Sequence, residues 1–156
     1  MEQKDTYIHD KIQILTTLNE NYLPRLQVLL TSIFLSQPGD IPDIWLIHSG
    51  ISDESLSSVR RQCSLLGFGF HSVLADRSAF TDAPVSAQYP REMYYRLLAA
   101  QLLPGSLQRI LYLDPDILVI NPLRSLWEAD LAGHLFAAAA HTGKTDLANN
   151  INQLRL

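Results

Sequence analysis

Asp114 and Asp116 flank Pro115 between two apolar runs, Arg-Ile-Leu-Tyr-Leu at 109–113 and Ile-Leu-Val-Ile at 117–120. In an extended chain, residues two apart project to the same side, so the two carboxylates converge. Pro115 has no amide hydrogen to give a ladder, which interrupts the sheet at that point. Paired acids at an apolar edge repel unless a cation joins them. A hard divalent ion, Mg²⁺ or Mn²⁺, suits two carboxylates completed by substrate phosphates. The competing reading is an Asp-Pro turn whose acids cap backbone amides. The triplet alone decides nothing, because eleven aspartates in 156 residues give one such match roughly by chance. Its place between buried runs carries more weight, since apolar strands seldom end in paired acids for packing reasons.

Two further groups have chemistry to offer. Asn19, Asn21 and Tyr22 follow an apolar run; their amides can read the edge of a planar base while the ring packs on it. A helix starting near Leu23 adds exposed amide donors. The alternative is a simple turn with Tyr22 as a hinge of the core. Arg96 lies in Met-Tyr-Tyr-Arg-Leu-Leu, where an arginine is either a snorkelling surface residue or the partner of an anion. The five histidines, His9, His48, His71, His134 and His141, lack metal-ligand spacing. Cys63 occupies an apolar helix position and reads as core. The sequence contains no Gly-x-Gly-x-x-Gly, no Walker loop and no Gly-x-Ser-x-Gly elbow, so dinucleotide, P-loop and serine-hydrolase chemistry have no motif.

These groups need elements to hold them. Residues 12–17 form a short β-branched strand, followed by a polar turn and a helix with Pro24 in its first turn. Leu26, Leu29, Leu30, Ile33 and Phe34 make one helical stripe, which ends before Gln37-Pro38-Gly39. The pattern predicts strands at 43–48, 69–74, 109–113 and 135–140, with an extended run at 117–120. It predicts helices beginning at Ser52 or Asp53, at 91–103, and within 122–130, and a loop at 75–90. Strands alternating with helices give βαβ crossovers and a largely parallel sheet. In such a sheet, ligands sit at the carboxyl ends of the strands, where both polar clusters fall.

Composition sets the outer limits. One chain of this length makes one domain with a sizeable core. A net charge of −4 argues against a general electrostatic grip on nucleic acid. With one cysteine no intramolecular disulfide forms, and the polar amino terminus lacks a signal-peptide core. No apolar run reaches the roughly 20 residues that span a bilayer. The expected location is cytoplasmic, with the inner membrane surface as a variant of that reading.

The order of these motifs adds a resemblance. Leu-Asn-Glu-Asn-Tyr-Leu at 18–23, Tyr-Pro-Arg-Glu-Met-Tyr-Tyr-Arg-Leu-Leu-Ala at 89–99, and Arg-Ile-Leu-Tyr-Leu-Asp-Pro-Asp-Ile-Leu-Val at 109–119 together resemble glycosyltransferase family 8. That family includes lipopolysaccharide galactosyl- and glucosyltransferases and glycogenin-like enzymes. The resemblance runs from about residue 12 to residue 141. It implies a nucleotide-diphospho-sugar transferase fold, Rossmann-like α/β with a largely parallel sheet flanked by helices, and incomplete at the carboxyl terminus. The implied organisation is an amino-terminal extension at 1–11, a nucleotide-sugar-binding domain at 12–141 and a polar tail at 142–156.

By the same resemblance the donor is UDP-glucose or UDP-galactose, the cofactor is Mn²⁺ or Mg²⁺, and a saccharide or lipopolysaccharide-type acceptor receives the hexose with retention of configuration. Asp114 and Asp116, with Pro115 between them, match the metal-binding pair. Thr17, Asn19, Asn21 and Tyr22 match the nucleotide-contacting turn, and Arg96 matches the catalytic arginine that approaches the donor. Three departures accompany the match. Asn19 stands where many members have Asp, and His141 stands where many have Asp or Glu. Family domains also run further and bring a histidine metal ligand and much of the acceptor wall. A catalytically silent nucleotide- or partner-binding fragment is therefore the alternative reading. Self-association through apolar surface near 135–140 is a further expectation. A phosphatase of the haloacid-dehalogenase type also carries Asp-x-Asp after a strand, but that family usually continues with Thr or Gly, whereas Ile117-Leu118 follow here.

Overall fold

The computed structural model describes residues 10–37, 39–86 and 90–139. The elements run β1 (Gln13–Thr17), α1 (Leu23–Ser36), β2 (Asp43–His48), α2 (Asp53–Leu65), β3 (Gly69–Leu74), a 3-10 helix (Arg91–Leu98), α3 (Ala99–Leu102), β4 (Leu111–Tyr112) and α4 (Arg124–Trp127). The four strands form one parallel sheet in the order β3-β2-β1-β4. In its register Ile14 stands between Ile44 and Leu111.

Strands covered on both faces read as continuous apolar runs, and alternation along them sorts the side chains into two cores. Ile14, Ile44 and Leu46 join Leu26, Leu30 and Ile33 of α1 and Val59 and Cys63 of α2. Leu15, Trp45 and Ile47 face the other way, against Ala75, Tyr95 and the partly buried Leu98 and Leu102. The second layer matters for function because it delivers the segment that carries Arg96. Burial pushes the Cys63 thiol up to about 12, so this residue packs the core and supplies no nucleophile.

β2 and β3 occupy the predicted spans, and Ser52 caps α2 by accepting the Ser55 amide at 3.3 Å. Three expectations are corrected. The helix predicted over 91–103 is a 3-10 helix followed by one α turn. A 3-10 helix eclipses residues three apart, which aligns Glu92, Tyr95 and Leu98; Tyr95 is fully buried and Glu92 accepts the Ser49 hydroxyl at 3.3 Å.

The run at 117–120, expected to be extended and buried, stands outside the sheet and buries only Val119, with Ile117, Leu118 and Ile120 exposed. Its polar backbone is taken by the carboxyl end of α1: Ser32 Oγ accepts the Val119 amide at 3.0 Å and Ser36 Oγ donates to the Val119 carbonyl at 2.8 Å. Gln37 continues the seam, its Oε1 accepting the Leu123 amide at 2.8 Å and its Nε2 donating to the Asn121 carbonyl at 3.3 Å. β4 is correspondingly short, Leu111–Tyr112 rather than all of 109–113.

The apolar run beginning at Leu135 is neither buried nor a strand over its described residues, 135–139. Leu135 and Phe136 are 96% and 79% exposed. A strand forms where a partner edge and a covering face are available, and among the described residues neither approaches this run. Ala140, His141 and the tail at 142–156 lie outside the described residues, as do residues 1–9 of the predicted extension. Among the described residues no helix is long and apolar enough to cross a membrane.

Candidate functional site

From β1 the chain passes to β2 and β3 on one side, and later returns to place β4 on the other. The carboxyl ends of β1 and β4 therefore flank the topological switch point, where an open α/β sheet leaves a crevice. Thr17 ends β1 and Tyr112 ends β4. Their hydroxyl oxygens lie 3.4 Å apart, and the Tyr112 hydroxyl donates to Asp114 Oδ1 at 2.8 Å. Since that proton is committed to the carboxylate, the Thr17 hydroxyl is the donor to Tyr112. Arg96 Nη2 donates to the same Asp114 oxygen at 3.3 Å. The guanidinium also lies 4.2 Å from the Tyr112 ring centroid, a cation–π contact. Its Nε donates to the Met93 carbonyl at 2.7 Å.

Burial is the main influence on Tyr112 and pushes its hydroxyl up to about 12; the Thr17 hydrogen bond and the Arg96 charge oppose this, and Asp114 reinforces it. Tyr112 is thus a fixed donor at neutral pH. Sequence reasoning missed it. The signal was present, since Tyr112 precedes Asp114 by two residues and the side-chain period of a strand is two.

Asp114 to Ile117 is a turn rather than an extended run, closed by the Ile117 amide on the Asp114 carbonyl at 3.4 Å. The turn reading is right about the backbone. The Asp114 carboxylate, however, takes side-chain donors and not a backbone amide. Pro115 is buried beneath the turn, while Asp116 is exposed and its side chain has no hydrogen bond or ion pair among the described residues. No third His, Cys, Asp or Glu gathers with the pair among the described residues. Two hard carboxylate donors fit Mg²⁺ or Mn²⁺, which take one or two carboxylates and complete their shell with phosphate oxygens and water. The side chains of Asp114 and Arg96 are 51% and 32% exposed, so this is an open surface.

The asparagine turn lies beyond β1 and has its own internal order. Asn19 Oδ1 accepts the Asn21 amide at 3.1 Å, capping a 3-10 turn at Glu20–Tyr22. Asn21 is exposed, and Tyr22 packs partly on the core with the Arg25 guanidinium 4.4 Å from its ring centroid. Glu20 anchors the turn to α2 by accepting the Ser52 and Ser55 hydroxyls, both at 2.6 Å. Thr17, Arg96 and Asp114 are thus joined through Tyr112, whereas no hydrogen bond or ring contact ties Asn19, Asn21, Tyr22 or Asp116 to them among the described residues.

A second recess, about 680 Å³, opens beyond β2 and β3, with His48, Ser72, Asp76 and Arg77 in its lining. His48 Nε2 lies 2.8 Å from Ser72 Oγ, a spacing that invites comparison with a Ser–His nucleophile pair. The tautomer rules that out. His48 Nδ1 accepts the amides of Gly50 and Ile51 at 3.2 and 3.1 Å, so the ring proton sits on Nε2 and is donated to Ser72. Burial holds the His48 imidazolium below its ordinary range. The unfolded chain therefore takes up this proton first, and stability falls as pH drops below about 6.5. Urea unfolding at pH 7.5 and 5.5 is expected to show a lower midpoint at 5.5, with most of that difference absent in His48→Gln; an equal difference in the variant would remove His48 as the cause.

Residues 13–155 match the family described as Glycosyl transferase family 8. The chain belongs to glycosyltransferase family 8. Among similar proteins, General stress protein A of Bacillus subtilis (strain 168) is 23% identical over 153 residues, covering 96% of this chain and 52% of the relative. Lipopolysaccharide 1,2-glucosyltransferase of Escherichia coli (strain K12) is 28% identical over 122 residues, covering 77% and 36% respectively. The galactosyltransferase LgtC, solved in complex with donor and acceptor sugar analogs, superposes with a TM-score of 0.70 at 24% identity, over 77% of this chain and 43% of that one. That likeness shows the nucleotide-sugar transferase fold. This family 8 chain spans about half the length of the first of these relatives and less of the others.

Proposed function

We propose that this chain is the donor-binding portion of a metal-dependent, retaining glycosyltransferase that takes a hexose from UDP-glucose or UDP-galactose to a saccharide or lipopolysaccharide-type acceptor. The observation that carries the reading is the Thr17–Tyr112–Asp114–Arg96 cluster at the switch point of a family 8 sheet. Asp114 and Asp116 would hold Mn²⁺ or Mg²⁺, which when bound supplies charge to stabilise the departing diphosphate.

The chain's own residues then have separable roles. Tyr112 orients the Asp114 carboxylate. Arg96 places a planar cation beside it, where negative charge grows as the bond to the anomeric carbon lengthens. Thr17 closes the crevice at the end of β1, and the exposed Asn21 and the free amide of Asn19 offer donors and acceptors to a uracil edge. Calorimetric titration with UDP, with Mn²⁺ and with EDTA, tests the reading.

A second reading has its own support. It is a catalytically silent module that binds nucleotide or a partner without transferring sugar, and what favours it is that no third His, Cys, Asp or Glu gathers with the two acids among the described residues. Detectable sugar release from UDP-glucose or UDP-galactose would exclude it. Self-association belongs with this reading, through the exposed run at 135–139 and the outer edge of β4. Sedimentation velocity would then show a coefficient that rises with concentration, and a single monomeric species throughout would contradict it.

A further inference from the structure

We infer that Arg96 is a built-in counter-ion that competes with the divalent cation for Asp114 in the nucleotide-free protein, and so makes metal binding wait for the diphosphate. This rests on the reading of Asp114 and Asp116 as the metal carboxylates. Asp114 Oδ1 accepts from both Tyr112 at 2.8 Å and Arg96 at 3.3 Å, while Oδ2 has no hydrogen-bond partner among the described residues, so the competition acts through the charge of the guanidinium held beside the carboxylate. A divalent ion approaching this carboxylate meets a guanidinium already in hydrogen-bond contact with it.

Arg96 does not sit there loosely. The Met93 carbonyl holds its Nε at 2.7 Å, the Tyr112 ring lies 4.2 Å from its guanidinium carbon, and Asp114 completes the grip. It is the only cation paired with either acid among the described residues. A diphosphate carries its own negative charge and accepts planar guanidinium donors. Its arrival gives Arg96 a second anion, which draws the guanidinium charge from the carboxylate and lifts the repulsion on the metal. The two ligands are then coupled through one side chain, and the coupling is reciprocal.

The sign is clear when Mn²⁺ is the only ligand. Removing the Arg96 charge lifts a repulsion from the ion, which at a partly exposed site is expected to tighten binding about three- to tenfold and to do so less as salt rises. The experiment is an electron paramagnetic resonance titration of free Mn²⁺ against the whole chain without nucleotide, using wild type, Arg96→Gln and Arg96→Lys, with melting curves confirming that each is folded. Arg96→Gln should bind Mn²⁺ three- to tenfold more tightly, and Arg96→Lys, which keeps the charge, should stay within about twofold of wild type. Affinity in Arg96→Gln equal to or weaker than wild type overturns the inference, as does an equal shift in both variants, which would mark a merely structural role. Absence of saturable Mn²⁺ binding in all three proteins, with UDP present or absent, overturns the metal reading beneath it.

Discussion

Exchange of Asp114 for Asn is expected to lower the affinity for UDP in the presence of Mn²⁺ on the order of 100-fold, about 2.7 kcal/mol. The substitution removes the charge that holds the cation but keeps an oxygen that accepts from Tyr112 and Arg96, whose present contacts are 2.8 and 3.3 Å. Local geometry is thereby preserved, and the loss reports on the ion rather than on the fold. Asp116→Asn disturbs even less, because that exposed side chain has no partner to lose among the described residues, and a comparable drop is expected. Calorimetry with excess Mn²⁺ reads both variants, with thermal unfolding as the control. Unchanged UDP affinity in both would remove the acids from the metal role.

Arg96→Lys is expected to weaken UDP-sugar binding about tenfold although its charge is kept. A lysine presents one compact ammonium and cannot act as a planar fork. The guanidinium here serves the Met93 carbonyl, the Tyr112 ring and the Asp114 carboxylate at once. An ammonium can satisfy one of these and still reach a phosphate, but without the fixed orientation. Competition binding with UDP-glucose and UDP-galactose measures the loss, and parity with wild type would make Arg96 a structural residue. With Mn²⁺ alone this variant is expected to change little, and that contrast separates the nucleotide role of Arg96 from its counter-ion role.

The sequence was most readable where local rules and burial agree. β2 is an apolar run of Ile, Trp, Leu and Ile after a Pro-containing turn, β3 follows the glycine that ends α2, and Ser52 announces α2 through its own hydroxyl. The misreadings share a physical cause. Ile-Leu-Val-Ile at 117–120 has strand composition, yet its hydrogen bonds go to Ser32 and Ser36, more than 80 residues away, and no local pattern records such a partner. Leu135 and Phe136 look like core by hydropathy, but burial is a property of neighbours, and among the described residues none covers them. At the switch point, Asp114 and Arg96 stood out by residue type and Thr17 came only with the family resemblance. Their connection was not legible, because Tyr112 looked like one more apolar strand residue and its hydroxyl acquires meaning only when the 3-10 helix sets Arg96 over its ring.

One calorimetric titration of UDP into the wild-type chain, run once with Mn²⁺ and once with EDTA, tests the metal role of Asp114 and Asp116 most directly. Saturable binding with Mn²⁺ and a loss of at least tenfold in EDTA is the expected result, because the two carboxylates repel a diphosphate unless a cation lies between them. Equal affinity in the two conditions would contradict the assignment of Asp114 and Asp116 as metal ligands and with it the proposed site.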